Sequence, residues 1–236
     1  MTDDRPPLIL VPGLLLTERM WAHQTAHLAD VAAPVVADTL QDDAIDAMAY
    51  RLLADAPPRF ALAGLSMGGY VALAVMRKAP ERVSKLALLD TQARNDAPEQ
   101  TRRRRALLAL SKQGRFRGVT ERLLPLLVHA DRLGERALVE PIYAMAEAVG
   151  RDGFARQQAA VMNRPDARAD LPRIACPTLV LCGREDALTP LDLSREMADA
   201  IPRARLAVIE ECGHMSAMER PQAVTALMRD WLVYGR

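Results

Sequence analysis

The sequence predicts an α/β architecture: a doubly wound, mainly parallel sheet of about six strands, with a helical cap inserted after the fourth strand. Three observations predict it. Short apolar runs alternate with amphipathic stretches along most of the chain, which is the succession of βαβ units. Several of the runs are apolar almost throughout, as strands covered on both faces of a parallel sheet must be. One interval, 90–177, breaks the alternation and reads as helix only.

In chain order, strands are expected at 8–11, 33–37, 60–63, 83–89, 178–182 and 205–209. Helices are expected at 18–28, 44–54, 67–79, 191–200 and 217–231, and within the insertion at 100–111, 119–128, 135–149 and 152–162. Gly114, Gly118, Gly134, Gly150 and Gly153 punctuate the insertion. An insertion at the carboxyl end of a strand lies over the ligand crevice of an open α/β sheet. The expected organisation is a core of 1–95 and 171–236 with a helical cap at 96–170. Seven residues precede the first strand, and a sheet of six strands, all parallel, is expected.

Composition narrows the function. The chain has 236 residues, half of them hydrophobic, which suits one α/β domain with a sizeable core. Thirty-one Lys and Arg nearly cancel 30 Asp and Glu, and aromatics are only 4%. No global field and no stacking platform points to nucleic acid or to an anionic membrane. The start of the chain is acidic and then proline-rich, unlike a signal peptide, and no apolar run is long enough to cross a bilayer. Cys176, Cys182 and Cys212 are odd in number and lack metal-ligand spacing; they read as small apolar thiols in a reducing cytosol, with Cys182 and Cys212 near the ends of two late strands. A cytoplasmic protein without a metal is expected.

The chemistry is carried by Gly64-Leu65-Ser66-Met67-Gly68-Gly69, between an apolar run and a helical stretch. A serine flanked in this way at a strand-to-helix turn is a nucleophile elbow: the tight turn strains the serine backbone, and the close approach of strand and helix leaves room only for glycine on either side. A serine hydroxyl needs a base, and the base needs an anion to orient it. Of four histidines, His23 and His27 sit four apart on one helix without a third metal ligand, and read as exposed. His129 reads as structural or lid-lining. His214 follows the last strand and precedes the last helix, on the sheet edge that carries Ser66. Asp186, in the loop after the fifth strand, is the favoured acid, and Asp90 and Glu185 are its rivals. Two backbone amides are expected to stabilise an oxyanion: that of Met67, directly after the nucleophile, and that of Leu14 in the loop after the first strand, with Leu15 as second choice. Leu15, Met67, Met145, Met162 and Met215 are candidate pocket residues. The run Arg102-Arg103-Arg104-Arg105 opens the cap, and reads either as an attractor of anionic substrates or as a solvated helix face.

With these residues in place, the chain resembles the α/β-hydrolase superfamily over nearly its whole length. The elbow, Gly183-Arg184-Glu185-Asp186 and the stretch Gly213-His214-Met215-Ser216-Ala217-Met218-Glu219-Arg220-Pro221 match its nucleophile, acid and histidine signatures. Ala79-Pro80-Glu81-Arg82-Val83 and Asp90-Thr91-Gln92-Ala93-Arg94 are similar to 3-oxoadipate enol-lactonases, in the branch of small lidded esterases and lactonases. The resemblance implies a triad of Ser66, His214 and Asp186, a lidded pocket, no cofactor and a small-molecule ester or lactone substrate. Where many relatives carry His-Gly before the oxyanion loop, this chain has Pro12-Gly13. Ester hydrolysis through an acyl-enzyme is the first reading. Lactone opening, C–C bond hydrolysis and cofactor-free perhydrolysis use the same triad, and a non-catalytic small-molecule binder on the same scaffold is the alternative from another class.

Overall fold

The structure is a computed structural model, and it describes residues 5–113, 116, 118–119 and 121–235. The acidic start of the chain and the break expected at Gly114 lie outside the described residues. The elements follow in order: β1 (Pro7–Val11), α1 (Ala22–His27), β2 (Ala33–Val36), α2 (Ile45–Asp55), β3 (Phe60–Leu65), α3 (Met67–Lys78), β4 (Val83–Leu89), α4 (Pro98–Ser111), α5 (Arg136–Met162), β5 (Thr178–Gly183), α6 (Leu191–Ala200), β6 (Ala204–Ile209), α7 (Ser216–Glu219) and α8 (Pro221–Tyr234). The six strands form one sheet in the order β2-β1-β3-β4-β5-β6, and every pair is parallel.

Continuous apolarity in the strands has a simple origin. Leu8 and Leu10 face one core while Ile9 and Val11 face the other, and the same alternation separates Ala87 and Leu89 from Leu86 and Leu88. Helices α2, α3 and α6 cover one side of the sheet and α1 and α8 the other, while the segment between β4 and β5 contributes residues to both cores. Between β4 and β5 the described residues contain helices and turns but no strand. Among the described residues, no helix is long and apolar enough to cross a membrane.

Three expected helices differ from the observed ones, each for a local reason. The helix expected at 119–128 is reduced to a single 3-10 turn, Leu124–Leu126. Pro125 has no N–H, and its ring crowds the carbonyl four residues earlier, which disfavours α-helix through this stretch; position 120 itself lies outside the described residues. The helix expected at 217–231 is broken at Arg220 (φ −127°, ψ 57°), because Pro221 forces the residue before it out of the α region. The helix expected at 18–28 opens with a 3-10 turn, Glu18–Trp21, capped by the Thr17 side chain, before α1 begins. By contrast, the two helices expected around Gly150 are both present. They form one element, α5, with non-helical backbone at Gly150 (φ 69°, ψ 179°).

Candidate active site

The nucleophile elbow forms where β3 runs into α3. Ser66 has φ 56° and ψ −117°, a strained conformation for a non-glycine residue. A Cβ at Gly64 would overlap the Gly68 carbonyl, and one at Gly68 would overlap the Val11 carbonyl, so the spacing of the two glycines follows from the contact of α3 with β3 and β1. The strained turn is held from the end of β4 and the residues after it: the Ser66 amide donates to the Leu89 carbonyl at 3.0 Å, and the Thr91 hydroxyl donates to the Ser66 carbonyl at 2.8 Å.

Ser66 Oγ lies 2.8 Å from His214 Nε2, and His214 Nδ1 lies 2.8 Å from Asp186 Oδ2. The imidazole and the carboxylate are both buried, whereas the serine residue is half-buried. Asp186 is held by three further donors: the Thr189 hydroxyl at 2.7 Å on Oδ2, and the amides of Leu188 (2.8 Å) and Thr189 (2.9 Å) on Oδ1. Burial alone would push the Asp186 carboxyl up, but His214 and these hydrogen bonds outweigh it and hold the group below its ordinary value. Burial likewise opposes charging of His214, but the charge and hydrogen bond of Asp186 prevail and raise the imidazole.

The two rival acids have other partners. Glu185 accepts the Cys212 amide at 3.0 Å, tying the β5 loop to the β6 loop. Asp90, at φ 45° and wholly buried, accepts the Gly183 amide at 2.9 Å and the Ser216 hydroxyl. Burial and the neighbouring Asp186 charge push the Asp90 carboxyl up to about 8. A carboxyl in this position holds a proton near neutrality, so Asp186 is the anion of the pair.

The loop after β1 turns tightly, with the Leu16 amide on the Gly13 carbonyl at 3.2 Å and Leu15 at φ 63°. The Leu15 amide donates to Gln157 Oε1 at 2.9 Å. It is therefore committed to α5, which removes the second choice for an oxyanion donor. Leu14 and Met67 stand beside Ser66 on the wall of a cavity of about 300 Å³. As the first residue of α3, Met67 has an amide that the helix itself does not use.

Leu15 and Met215 line the cavity as expected from the sequence, but Met145 and Met162 do not. Met145 is fully buried in the core. On α5, Phe154, Gln158 and Val161 face the cavity at helical spacing, and Met162, one position on, is turned away. Sequence reasoning missed Thr189, Gln157 and Glu219. Asp186 to Thr189 has the spacing of a carboxylate that caps the turn following it, and this signal was available. Glu219 is buried and accepts the amides of His129 (2.8 Å) and Met215 (3.2 Å), bracing the histidine loop against the inserted segment. His129 has this structural place. His23 is half-buried rather than exposed, because Thr225 Oγ1 lies 2.8 Å from its Nδ1.

Asp90, Cys182 and Asp186 bring ligand-type atoms within 4.8 Å of one another, the one such group among the described residues. It does not suit a cation: both carboxylates are occupied by hydrogen bonds, and burial raises the Cys182 thiol, opposing the thiolate a metal needs. Cys212 is buried and raised in the same sense.

A serine hydroxyl bonded to a buried imidazole, on a strand-to-helix turn of an all-parallel sheet, is the arrangement of serine hydrolases with a nucleophile elbow. The family model described as the alpha/beta hydrolase fold matches residues 37–221, and the chain belongs to that family. It is 25% identical over 94% of its length to a pimeloyl-[acyl-carrier protein] methyl ester esterase of Nitrosomonas europaea, covering 93% of that protein. A thermophilic esterase of Thermogutta terrifontis, solved with malate bound, is 32% identical with a TM-score of 0.89; the match covers 98% of this chain and 90% of that one. The enol-lactonase of Burkholderia xenovorans LB400 is 25% identical with a TM-score of 0.84, over 98% and 93% of the two chains. The family and these relatives place the chain among hydrolases.

Proposed function

We propose that the protein cleaves carboxylic esters of small, partly apolar substrates through an acyl-enzyme on Ser66. The observation that carries this reading is the unbroken chain from Ser66 Oγ through His214 to Asp186, with both links at 2.8 Å, at the wall of the cavity. His214 Nε2 takes the serine proton as Oγ attacks the carbonyl carbon. Asp186 holds the imidazole in the tautomer with hydrogen on Nδ1 and stabilises the imidazolium that forms. The carbonyl oxygen becomes an oxyanion, received by the amides of Leu14 and Met67; each such donor is worth about 3–4 kcal/mol in enzymes of this type. Collapse of the tetrahedral intermediate expels the alkoxide, which takes the proton from His214. Water then attacks the acyl-enzyme by the same route and releases the acid.

The residues between β4 and β5 act as the cap in this reading, since α4 and α5 both contribute cavity wall. The apolar part of a substrate rests on Leu14, Leu15, Leu107, Leu127 and Phe154. Lactone opening is the second reading, favoured by the likeness to the enol-lactonase: a lactone is an internal ester, and the same steps open it. Purified protein should hydrolyse p-nitrophenyl butyrate, and a fluorophosphonate probe should attach to Ser66. Ser66→Ala should lose both, with turnover reduced by about 10⁴-fold or more. Full turnover by that variant would remove the acyl-enzyme mechanism.

A further inference from the structure

Four consecutive arginines lie on α4, and the helix sorts them. Gln100, Arg103, Arg104 and Leu107, spaced as one helical face, line the cavity; Arg102 and Arg105 do not. The two arginines on the wall differ in what they touch. Arg104 Nε contacts Asp96 Oδ2 at 2.7 Å, and its Nη1 donates to Gln158 Oε1 at 3.1 Å. Arg103 is exposed and has no hydrogen-bond or ionic partner among the described residues.

Asp96, only 1% exposed, is shared. Its other oxygen takes Arg164 Nη1 at 2.6 Å, and the Arg164 guanidinium lies 4.1 Å over the Tyr70 ring. One carboxylate thus faces two guanidinium groups, which leaves a positive charge in excess behind the wall. Arg103 adds a second on the wall itself. The described cavity wall contains no Asp or Glu. This is a local field, because the whole chain carries a formal charge of only +1. A cleft with one sign of charge and low-dielectric walls concentrates ligands of the opposite sign.

We propose that the cavity selects esters bearing a free carboxylate, with Arg103 as the specificity-determining residue that receives it. An open guanidinium fork matches a single carboxylate with two parallel hydrogen bonds. The leucine-lined remainder suits a carbon chain between that carboxylate and the scissile ester at Ser66. Arg104, already neutralised by Asp96, serves as the fixed neighbour that keeps this face of α4 against the cavity. As a statement about substrates, the inference rests on the ester-hydrolase reading. As a statement about anion binding, it stands apart from that reading.

The test compares monomethyl adipate with methyl hexanoate, esters of similar length with and without a terminal carboxylate. The wild type should favour monomethyl adipate in kcat/KM by about tenfold or more at low salt, with the preference shrinking as salt is added. Arg103→Gln should remove most of that ratio, Arg103→Lys should keep part of it, and the control Arg102→Gln should retain it. In parallel, calorimetry should show monomethyl adipate binding to Ser66→Ala about tenfold more tightly than to Ser66→Ala with Arg103→Gln. Cleavage of both esters without preference overturns this inference and leaves ester hydrolysis intact. Absence of turnover with Arg103-dependent binding does the reverse. Retention of the preference by Arg103→Gln, or equal calorimetric binding with and without Arg103, overturns the inference.

Discussion

The amide of Leu15 donates to the side-chain oxygen of Gln157 at 2.9 Å, joining the loop after β1 to α5 across 142 positions of sequence. Gln157 is fully buried, and its amide nitrogen reaches the Thr39 carbonyl at 3.3 Å. One side chain therefore links the loop that carries the Leu14 amide to α5, which contributes part of the cavity wall. Gln157→Leu should leave the Leu15 amide buried without a partner, at a cost of about 1–3 kcal/mol. The expected outcome is a lower melting temperature together with a fall in kcat larger than the change in KM, because in the proposed mechanism a displaced Leu14 amide weakens binding of the oxyanion. Calorimetric melting and steady-state kinetics on p-nitrophenyl butyrate would check both. An unaltered kcat would separate this link from the reaction.

Asp186 and Asp90 are buried carboxyl groups that interact electrostatically, but only Asp186 bonds to the imidazole. Asp186→Asn should reduce kcat by about 10³–10⁴-fold, because an amide favours the wrong tautomer of His214. Asp90→Asn should cost less than about tenfold, since an amide can still accept from Gly183. The opposite ranking would assign the orienting role to Asp90.

Asp90 should also shape stability against pH. Its carboxyl is raised in the folded state from an ordinary 3.8 to about 8. Between those values the folded chain binds a proton that the unfolded chain has released, so stability falls as pH rises through that window. The wild type should lose melting temperature between pH 5 and pH 8.5 by more than Asp90→Asn does. Equal slopes for the two proteins would mean that Asp90 is charged while buried.

The pH dependence of the rate follows from His214. In the proposed mechanism only the uncharged ring can accept the Ser66 proton, and the net effect of Asp186 is to raise the ring above its ordinary 6.5. The acid limb of kcat/KM should therefore have its midpoint above 6.5, with activity rising toward higher pH. In Asp186→Asn the residual activity should show that limb displaced to lower pH. An unmoved limb in that variant would assign it to another group.

Thr189 offers a finer probe of the same carboxylate. Its hydroxyl donates to Asp186 Oδ2, the oxygen that faces His214, at 2.7 Å. Thr189→Val keeps the volume and removes the donor, at about 1.5–3 kcal/mol for a hydrogen bond to a charged group. A lower melting temperature and a loss of kcat should appear together, measured by calorimetry and by steady-state kinetics.

The elements were readable from the sequence wherever local pattern decides them. Buried parallel strands must be apolar throughout, and the need for glycine at 64 reflects a contact with Gly68 made within a few residues, whereas Gly68 is required by the approach of α3 to Val11 on β1. Even the loss of helix around Pro125 had its signal in the chain, in the missing N–H of that proline. What the sequence by itself determined was thus the fold, the elbow and the candidates for base and acid. The sequence favoured Asp186 over Asp90 and Glu185, and the tertiary structure decided that Asp186 is the one that meets His214, that Gln157 takes the Leu15 amide, that Met145 and Met162 miss the cavity, and which arginines of the run face it. Those outcomes depend on contacts between residues as much as 142 positions apart. Pattern along the chain reports the face of an element, whereas contact between distant residues depends on how several elements and their loops pack at once.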